Sequence, residues 1–399
     1  MMKKLKILFV LQCPFSDHFG AGKVHFDLKK EFERMGHEVD TLSSDDYYPN
    51  GQSTISKIVG PLYTYEILSR LKEIAYKYDV IDANFNCIPF PKESFGFNGL
   101  LIYRSHGLLP VYRKAEASPE YQQMLRTNKE PVKLKTRFGN LYRMMLKKPG
   151  PNVFADSVKY ADIIHCLNQE EHKFLLEYGI PENEILPLPN GISDTFVENA
   201  NKSEIHGKSN IISFVGSWTL RKGIKDLNEI LTVIDQKVNI DKFNLLGGVT
   251  KREKVVTFFD TKFESKLNVI PTYSQSNLVD LLKETKVGIF PSYIEGLPLA
   301  IIEQISCGIP VVAYDIPGSS EILRDIDPTL LIHPGNKKAF GDKVIEILNM
   351  DEQDYVILAE KCKAKSQEYL MSKVSELFID AYFKNHNLLL EKHNSPILG

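Results

Sequence analysis

The chain is poor in cysteine, with five among 399 residues, at positions 13, 87, 166, 307 and 362, and no C-x-x-C pair. An odd, scattered set of that kind gives no disulfide framework and no zinc site, so a reducing cytoplasm is the expected compartment. An excess of charge is also missing. The 49 basic and 51 acidic side chains leave a formal net charge of −2, which supplies no global electrostatic reason to expect a nucleic-acid partner. No apolar run approaches the roughly 18 residues that a membrane-spanning helix needs, so the chain is not expected to be integral to a membrane. The opening Met1-Met2-Lys3-Lys4-Leu5-Lys6 imitates a signal peptide, but the apolar run behind it, Ile7 to Leu11, is too short for an h-region. No small-x-small cleavage site follows, and the run reads as a first strand. Short-period repeats and low-complexity tracts are absent as well.

What is present is an alternation of short apolar runs with helical patterns, the mark of a parallel α/β sheet. The length suits two domains of about 150 to 200 residues each. After the first strand come a loop, Gln12 to Gly22, and a helix from about residue 22 with Val24, Leu28, Phe32 and Met35 at helical spacing and Gly36 to end it. Strand two is Glu38 to Leu42. The Gly20-Ala21-Gly22 turn lets backbone come close to a ligand. A dinucleotide site fits poorly, because the third glycine of G-x-G-x-x-G is replaced by His25 and Ser43-Ser44-Asp45 offers no clear ribose acid. Strands at 78 to 83 and 100 to 103 follow, the second leading into Arg104-Ser105-His106-Gly107. His106 thus stands past the carboxyl end of a parallel strand, where such sheets bind ligands; a loop histidine satisfied by backbone explains it equally well.

Residues 131 to 150 carry six basic side chains and no acid, interleaved with apolar ones. A helix with one solvated basic face is the ordinary explanation, yet this is also the stretch best suited to touch anionic lipid or an anionic acceptor. Strands at 161 to 166 and 185 to 188 precede a tract, 193 to 209, that loses apolar periodicity and is rich in Ser, Asn and charge. A linker is expected there, between an N-terminal domain at 1 to 192 and a C-terminal domain at 210 to 373. The second domain restarts the plan of the first: strand Ile211 to Val215, loop Gly216 to Gly223, then a helix with Ile224, Leu227, Ile230 and Leu231. Two such halves facing each other make a cleft. A positive charge is disfavoured at a helix start, so Arg221 and Lys222 are better accounted for by a bound anion than as surface charges. Tyr273, after a strand end, offers a ring to a nucleobase or simply packs its loop. Asp325-Ile326-Asp327 reads as a pair of solvated carboxylates, and no metal site is expected.

The most informative stretch is Pro291 to Glu303, PSYIEGLPLAIIE. It joins an apolar strand, Val287 to Phe290, to a helical pattern, and Pro298 suits the first helical turn because its missing N–H is one a helix start leaves unpaired. The amides of Leu299 and Ala300 then lie at the positive end of the helix dipole, where a phosphate can sit. Glu295 precedes that point and Glu303 follows it on the same helical face as Leu299 and Ala300. Each carboxylate accepts O–H donors such as sugar hydroxyls. Glu is common near any helix start, but an unpaired charge within Ala300-Ile301-Ile302 and Ile305 is costly and favours a ligand role for Glu303.

This block, EGLPLAIIEQISCGIPVVAYDIPGSSEIL from 295 to 323, resembles the E-x7-E segment of retaining glycosyltransferases of family 4. The likeness includes Cys307-Gly308-Ile309-Pro310-Val311-Val312, Pro317-Gly318 with Glu321, His106-Gly107, and Pro189-Asn190-Gly191-Ile192 at the end of the first domain. It implies the GT-B fold, two Rossmann-like domains across a cleft, with a C-terminal helix of about 374 to 399 packed back on the first domain. It also implies transfer of a sugar from a nucleoside diphosphate, UDP most commonly, to an acceptor hydroxyl with retention and without a cofactor or metal. The acceptor, a saccharide, a lipid-linked glycan or a protein glycan, is not named by it. By residue, the resemblance and the chemistry of the residues together imply Glu303 on the ribose, Glu295 on the donor sugar, His106 on the donor sugar or phosphate, Arg221 and Lys222 on the diphosphate, and Gly20, Gly22, Gly216, Ser217, Tyr273, Gly296, Leu299 and Ala300 around the donor. One departure stands out. The family pattern Gly-Arg, spacer, Lys-Gly has Ser217 in place of the arginine, with Lys222-Gly223 retained, so either Arg221 supplies the charge or the site is weakened. A catalytically silent binding subunit and a nucleotide-sugar epimerase on the same fold remain alternative readings.

Overall fold

The computed structural model describes residues 4–16, 20–48, 63–126, 152–202 and 209–394. The basic stretch 131 to 150 lies outside the described residues. Six strands, β1 (Lys6–Val10), β2 (Glu38–Leu42), β3 (Val80–Asn84), β4 (Leu100–Arg104), β5 (Ile163–Cys166) and β6 (Ile185–Pro187), form one sheet in the order β2-β1-β3-β4-β5-β6. Six more, β7 (Ile211–Val215), β8 (Lys242–Leu246), β9 (Leu267–Ile270), β10 (Val287–Phe290), β11 (Val311–Tyr314) and β12 (Leu331–Ile332), form a second in the order β12-β11-β10-β7-β8-β9. All pairings are parallel. Helical crossovers therefore cover both faces, which is why the strands are apolar on both sides. In β1, Leu8 and Val10 join one core while Ile7 and Phe9 join the other, the period of two that a strand imposes.

The strand order reverses between β1 and β3 in the first sheet and between β7 and β10 in the second. Crevices open at the carboxyl ends of such switch points, so the loops after β1, β3, β4, β7 and β10 are the ones placed to hold a ligand.

The chain crosses between the sheets twice, and the crossings are stitched together. The Ile192 amide donates to the Tyr369 carbonyl at 2.7 Å, and the Met371 amide to the Ile192 carbonyl at 2.8 Å. Gly191 permits this approach, since a Cβ there would stand 2.9 Å from Met371 Cα. From that point the helix Met371–Asn394 returns to the first sheet and buries Met371, Val374, Phe378, Ile379 and Tyr382 against it. The expected linker at 193 to 209 is corrected in its first half. Asp194–Lys202 is a helix whose Phe196, Val197 and Ala200 are buried in the core of the second sheet. Its apolar stripe is three residues wide, too narrow to stand out from the polar residues around it.

Tyr382 ties the returning helix to the strand ends of the first sheet. Arg104 and Asp82 form a fully buried ion pair, with Arg104 Nη2 2.5 Å from Asp82 Oδ2. The same guanidinium donates to the Tyr382 hydroxyl at 2.9 Å, and that hydroxyl donates to Asp82. Arg104 Nη1 is buried with no partner among the described residues, so the pair depends on the hydrogen bonds it does make. Tyr382→Phe is therefore expected to lower stability by about 1–3 kcal/mol, read as a lower urea midpoint. An unchanged midpoint would show that the hydroxyl contributes nothing.

Candidate active site in the interdomain cleft

Glu295 lies in the loop after β10 and is almost fully buried. Its Oε1 meets Lys222 Nζ at 2.7 Å and Arg221 Nη1 at 3.1 Å, and accepts from Ser292 Oγ at 2.7 Å. Burial alone pushes this carboxyl up. Lys222, Arg221 and the Ser292 hydroxyl outweigh it and hold the group below the usual carboxylate range. The hydrogen bonds and ion pairs fall on Oε1, which leaves Oε2 for a ligand hydroxyl.

Two loops are joined by this cluster. The Tyr293 amide donates to the Arg221 carbonyl at 2.8 Å, and Arg221 Nη1 donates to the Ile294 carbonyl at 3.0 Å. Gly223, at φ +69, is required here, because a Cβ would fall 1.9 Å from the Pro291 carbonyl oxygen. The expectation that Arg221 and Lys222 open a helix is corrected. Leu220–Lys222 is a single 3-10 turn closed by Gly223, and the helix begins at Leu227. Their charges are met by Glu295, and no helix start opposes them. Gly216, at φ +150, keeps the start of this loop open beside the Lys222 stem. Ser217 adds no charge. Arg221 stands on the same carboxylate oxygen as Lys222, so the cluster carries two cations against one anion.

The helix after this loop is Leu299–Ser306, with Pro298 at its N-cap and no side-chain cap. Among the described residues no acceptor meets the amides of Leu299 and Ala300. Glu303, one turn on, is half-buried and has no ion pair among the described residues, its contact being Gln275 Nε2 at 3.4 Å. Burial pushes its carboxyl up to about 7 against the opposing pull of the Lys23 charge. Tyr273 is half-buried nearby, its ring seated over Gly247, where a Cβ would approach to 2.9 Å.

From the first domain, Gly20 opens the helix Gly20–Arg34 at φ +71. Gly22 serves packing within its own loop, since a Cβ there would meet the Pro14 carbonyl oxygen at 2.3 Å. The next residue, Lys23, is buried and pairs with Asp27. His106 follows β4, and its Nε2 lies 2.9 Å from Asn84 Oδ1, at the end of β3. Burial, His25 and Arg104 together hold the His106 ring well below the usual imidazole range, so it is neutral at pH 7. With Nε2–H on Asn84, Nδ1 remains as an acceptor. Gly296 brings the halves together, since a Cβ on it would lie 2.9 Å from Leu167 Cδ1 and 3.4 Å from Gly107 Cα.

Among the predicted residues, contacts thus bring Arg221 and Lys222 onto Glu295 and set Gly296 against Gly107, the neighbour of His106, while Glu303 lies within range of the Lys23 charge after β1. Lys23, Asn84, Asn168 and Gln275 were not singled out by sequence reasoning. Only Asn168 had a usable signal, an Asn three residues before Glu171 at a helix start. Asp325 pairs with Lys365 at 2.6 Å and Asp327 accepts from the Thr329 amide at 2.8 Å, so neither is a free ligand. No cluster of His, Cys, Asp and Glu suited to a metal occurs among the described residues. No helix among them is long and apolar enough to cross a membrane. A hollow of about 1230 Å³ lies between the domains on the side of the two crossings, lined by Gln169, Pro189, Glu321 and Tyr369, and none of the predicted site residues lines it.

Two parallel Rossmann-like sheets, joined by paired crossings and a returning C-terminal helix, make this the GT-B fold. Residues 196–368 match the family described as Glycosyl transferases group 1. The N,N'-diacetylbacillosaminyl-diphospho-undecaprenol alpha-1,3-N-acetylgalactosaminyltransferase of Campylobacter jejuni is 24% identical over 254 residues, covering 61% of this chain and 65% of that one. The chain therefore spans just under two thirds of that relative. Among solved structures, sucrose-phosphate synthase from Thermosynechococcus elongatus superposes with a TM-score of 0.67 at 16% identity, covering 95% of this chain and 98% of that one. HepE of Anabaena, solved with UDP and glucose, gives 0.63 at 15% identity over 95% and 100% of the two chains.

The raised carboxyl of Glu303 has a pH signature. A ligand hydroxyl that donates to the ionised form binds better as pH rises through about 7. The Kd for UDP is expected to tighten by roughly five- to tenfold between pH 6 and pH 8 beyond any change seen in Glu303→Gln, measured calorimetrically. Identical pH profiles in the two proteins would remove Glu303 from the ligand.

Proposed function

We propose that the cleft moves a hexose-type sugar from a nucleoside diphosphate, UDP foremost, to an acceptor hydroxyl with retention of anomeric configuration, in the building of bacterial cell-surface or other glycoconjugates. One observation carries the reading. An uncapped helix N-terminus is flanked by one carboxylate that two cations hold ionised and by a second that has no ion pair among the described residues. That set matches a molecule with a dianionic centre between two polyols.

In this reading Glu303 accepts from the ribose hydroxyls and Tyr273 lies beside the base. The Leu299 and Ala300 amides, with Arg221 and Lys222, receive the diphosphate. Glu295 Oε2 and neutral His106 hold the donor sugar. As the bond from the anomeric carbon to the β-phosphate oxygen breaks, negative charge grows on that oxygen, and donors already in place stabilise it without reorganising. The acceptor oxygen bonds to the anomeric carbon on the same face. Its proton passes to the departing phosphate oxygen, so no protein nucleophile is needed. The HepE structure was solved with UDP and glucose, and the Campylobacter relative is named for a diphospho-undecaprenol substrate; both support a UDP donor and a saccharide or lipid-linked acceptor here. A cytoplasmic place, with peripheral contact at the inner membrane face through 131 to 150, belongs to the same proposal.

Epimerisation on this fold requires a proton-abstracting base, and the depressed basicity of His106 makes it a poor one. The silent-subunit reading is tested directly. In thermal melts against UDP, GDP and ADP and their sugars, one nucleotide is expected to raise the midpoint of the wild type and leave Glu303→Ala unmoved. A ligand at a hundred times its Kd adds about 2.7 kcal/mol. The wild type should also release UDP from a UDP-hexose, with a product of unchanged anomeric configuration by NMR. No shift with any nucleotide favours the silent subunit, and an inverted product overturns the same-face mechanism.

A further inference from the structure

The loops bearing His106 and Glu295 belong to different domains, and a short chain of hydrogen bonds runs from one to the other. It begins at Glu171, which is fully buried on the helix Gln169–Glu177. Glu171 has no cation partner among the described residues. Its Oε1 accepts from the Leu108 amide at 2.8 Å, and its Oε2 from Ser105 Oγ and the Leu167 amide, both at 2.9 Å. Ser105 Oγ in turn accepts from the Gly107 amide at 3.0 Å. One carboxylate thus holds both sides of His106 and ties them to the end of β5. A buried carboxylate without a countercharge is costly, and its carboxyl is pushed up by that burial despite the donors around it.

The chain continues through Asn168. Its Oδ1 caps the same helix by accepting from the Glu171 amide at 2.9 Å, and its Nδ2 donates across the cleft to the Gly296 carbonyl at 2.9 Å. Only one orientation of the amide satisfies both, with oxygen to the N–H and nitrogen to the C=O. Gly296 adjoins Glu295, and its missing side chain lets it rest against Gly107 and Leu167. Leu167, Asn168 and Gly107 therefore meet Gly296 in one place.

We propose that Asn168 and Glu171 form a positioning linkage that sets the His106 loop in register with the Glu295 loop as the domains meet, Asn168 being its interdomain clamp. The linkage rests on the reading of this cleft as a glycosyl-transfer site, because registering the two loops matters only if both face one donor sugar. Neither residue is placed on the nucleotide. Loss of the clamp acts on turnover and leaves binding of UDP to the second domain as it was.

Asn168→Ser separates the two roles of the side chain, since serine keeps the helix-cap acceptor and removes the amide donor. Expected for this variant are a melting midpoint lowered by a few degrees at most, a Kd for UDP within about twofold of wild type, and a kcat for UDP release from UDP-hexoses lowered roughly three- to tenfold, the size of one neutral hydrogen bond. Asn168→Asp, which sets a carboxylate oxygen against the Gly296 carbonyl, is expected to fall further. A kcat equal to wild type in Asn168→Ser overturns the proposal, as does a fall matched by an equal rise in Kd. If the wild type turns over no nucleotide sugar, the functional reading fails and small-angle scattering decides the clamp alone. Asn168→Ser should then show a radius of gyration larger by about 1 Å on roughly 21 Å, whereas superimposable curves overturn it.

Discussion

The cleft depends on the buried meeting of Glu295 with Lys222 and Arg221. Burying a carboxylate and an ammonium together is expensive, and their attraction offsets the cost only when geometry is good and the remaining groups are paired. Here Ser292 joins the same oxygen, the Phe290 ring lies 4.6 Å beneath the Lys222 ammonium, and backbone hydrogen bonds fasten the two loops on either side. Truncating either charge would leave the other stranded. The two loops consequently behave as one rigid unit, and the unit retains one positive charge more than it neutralises.

That surplus sits beside the helix start at Leu299, so positive potential from two sources is aimed at one point before any ligand arrives. Around it the fold supplies the rest. Reversal of strand order in each sheet opens a crevice at its strand ends, and the stitched crossings at Ile192 and Tyr369 with the returning Met371–Asn394 helix join the two halves. The first domain contributes mainly hydrogen-bonding groups, its Lys23 being paired with Asp27. His106 is neutral, and Asp82 and Arg104 neutralise one another behind it. Charge is thus concentrated on the loops of the second sheet, where the proposed leaving phosphate would need it.

Much of this was legible in the residues. Short apolar runs separated by helical patterns identified most strands, and Pro298 with its flanking glutamates marked the helix start at Leu299 correctly. What failed to show was pairing in space. Nothing in the sequence says that Arg221 and Lys222 close on Glu295, 74 and 73 positions away, so the residues alone point to a bound anion for charges that a carboxylate already meets in part. Gly22 looked like a point of ligand approach and proves to be a point of loop packing. The helix at Asp194–Lys202 hid behind a three-residue apolar face, and Asn168 reaches Gly296 across 128 positions. Periodicity reports local structure; it does not report which distant side chain completes a buried group.

The most direct measurement compares the Kd of each nucleoside diphosphate with that of its nucleoside, for uridine, guanosine and adenosine, by calorimetry at low and high salt. Charge preorganised by Glu295, Lys222 and Arg221 at an open helix start predicts that one diphosphate binds at least about a hundredfold more tightly than its nucleoside, with the margin shrinking as salt rises. Equal affinity of the diphosphate and its nucleoside at both salt concentrations would contradict it.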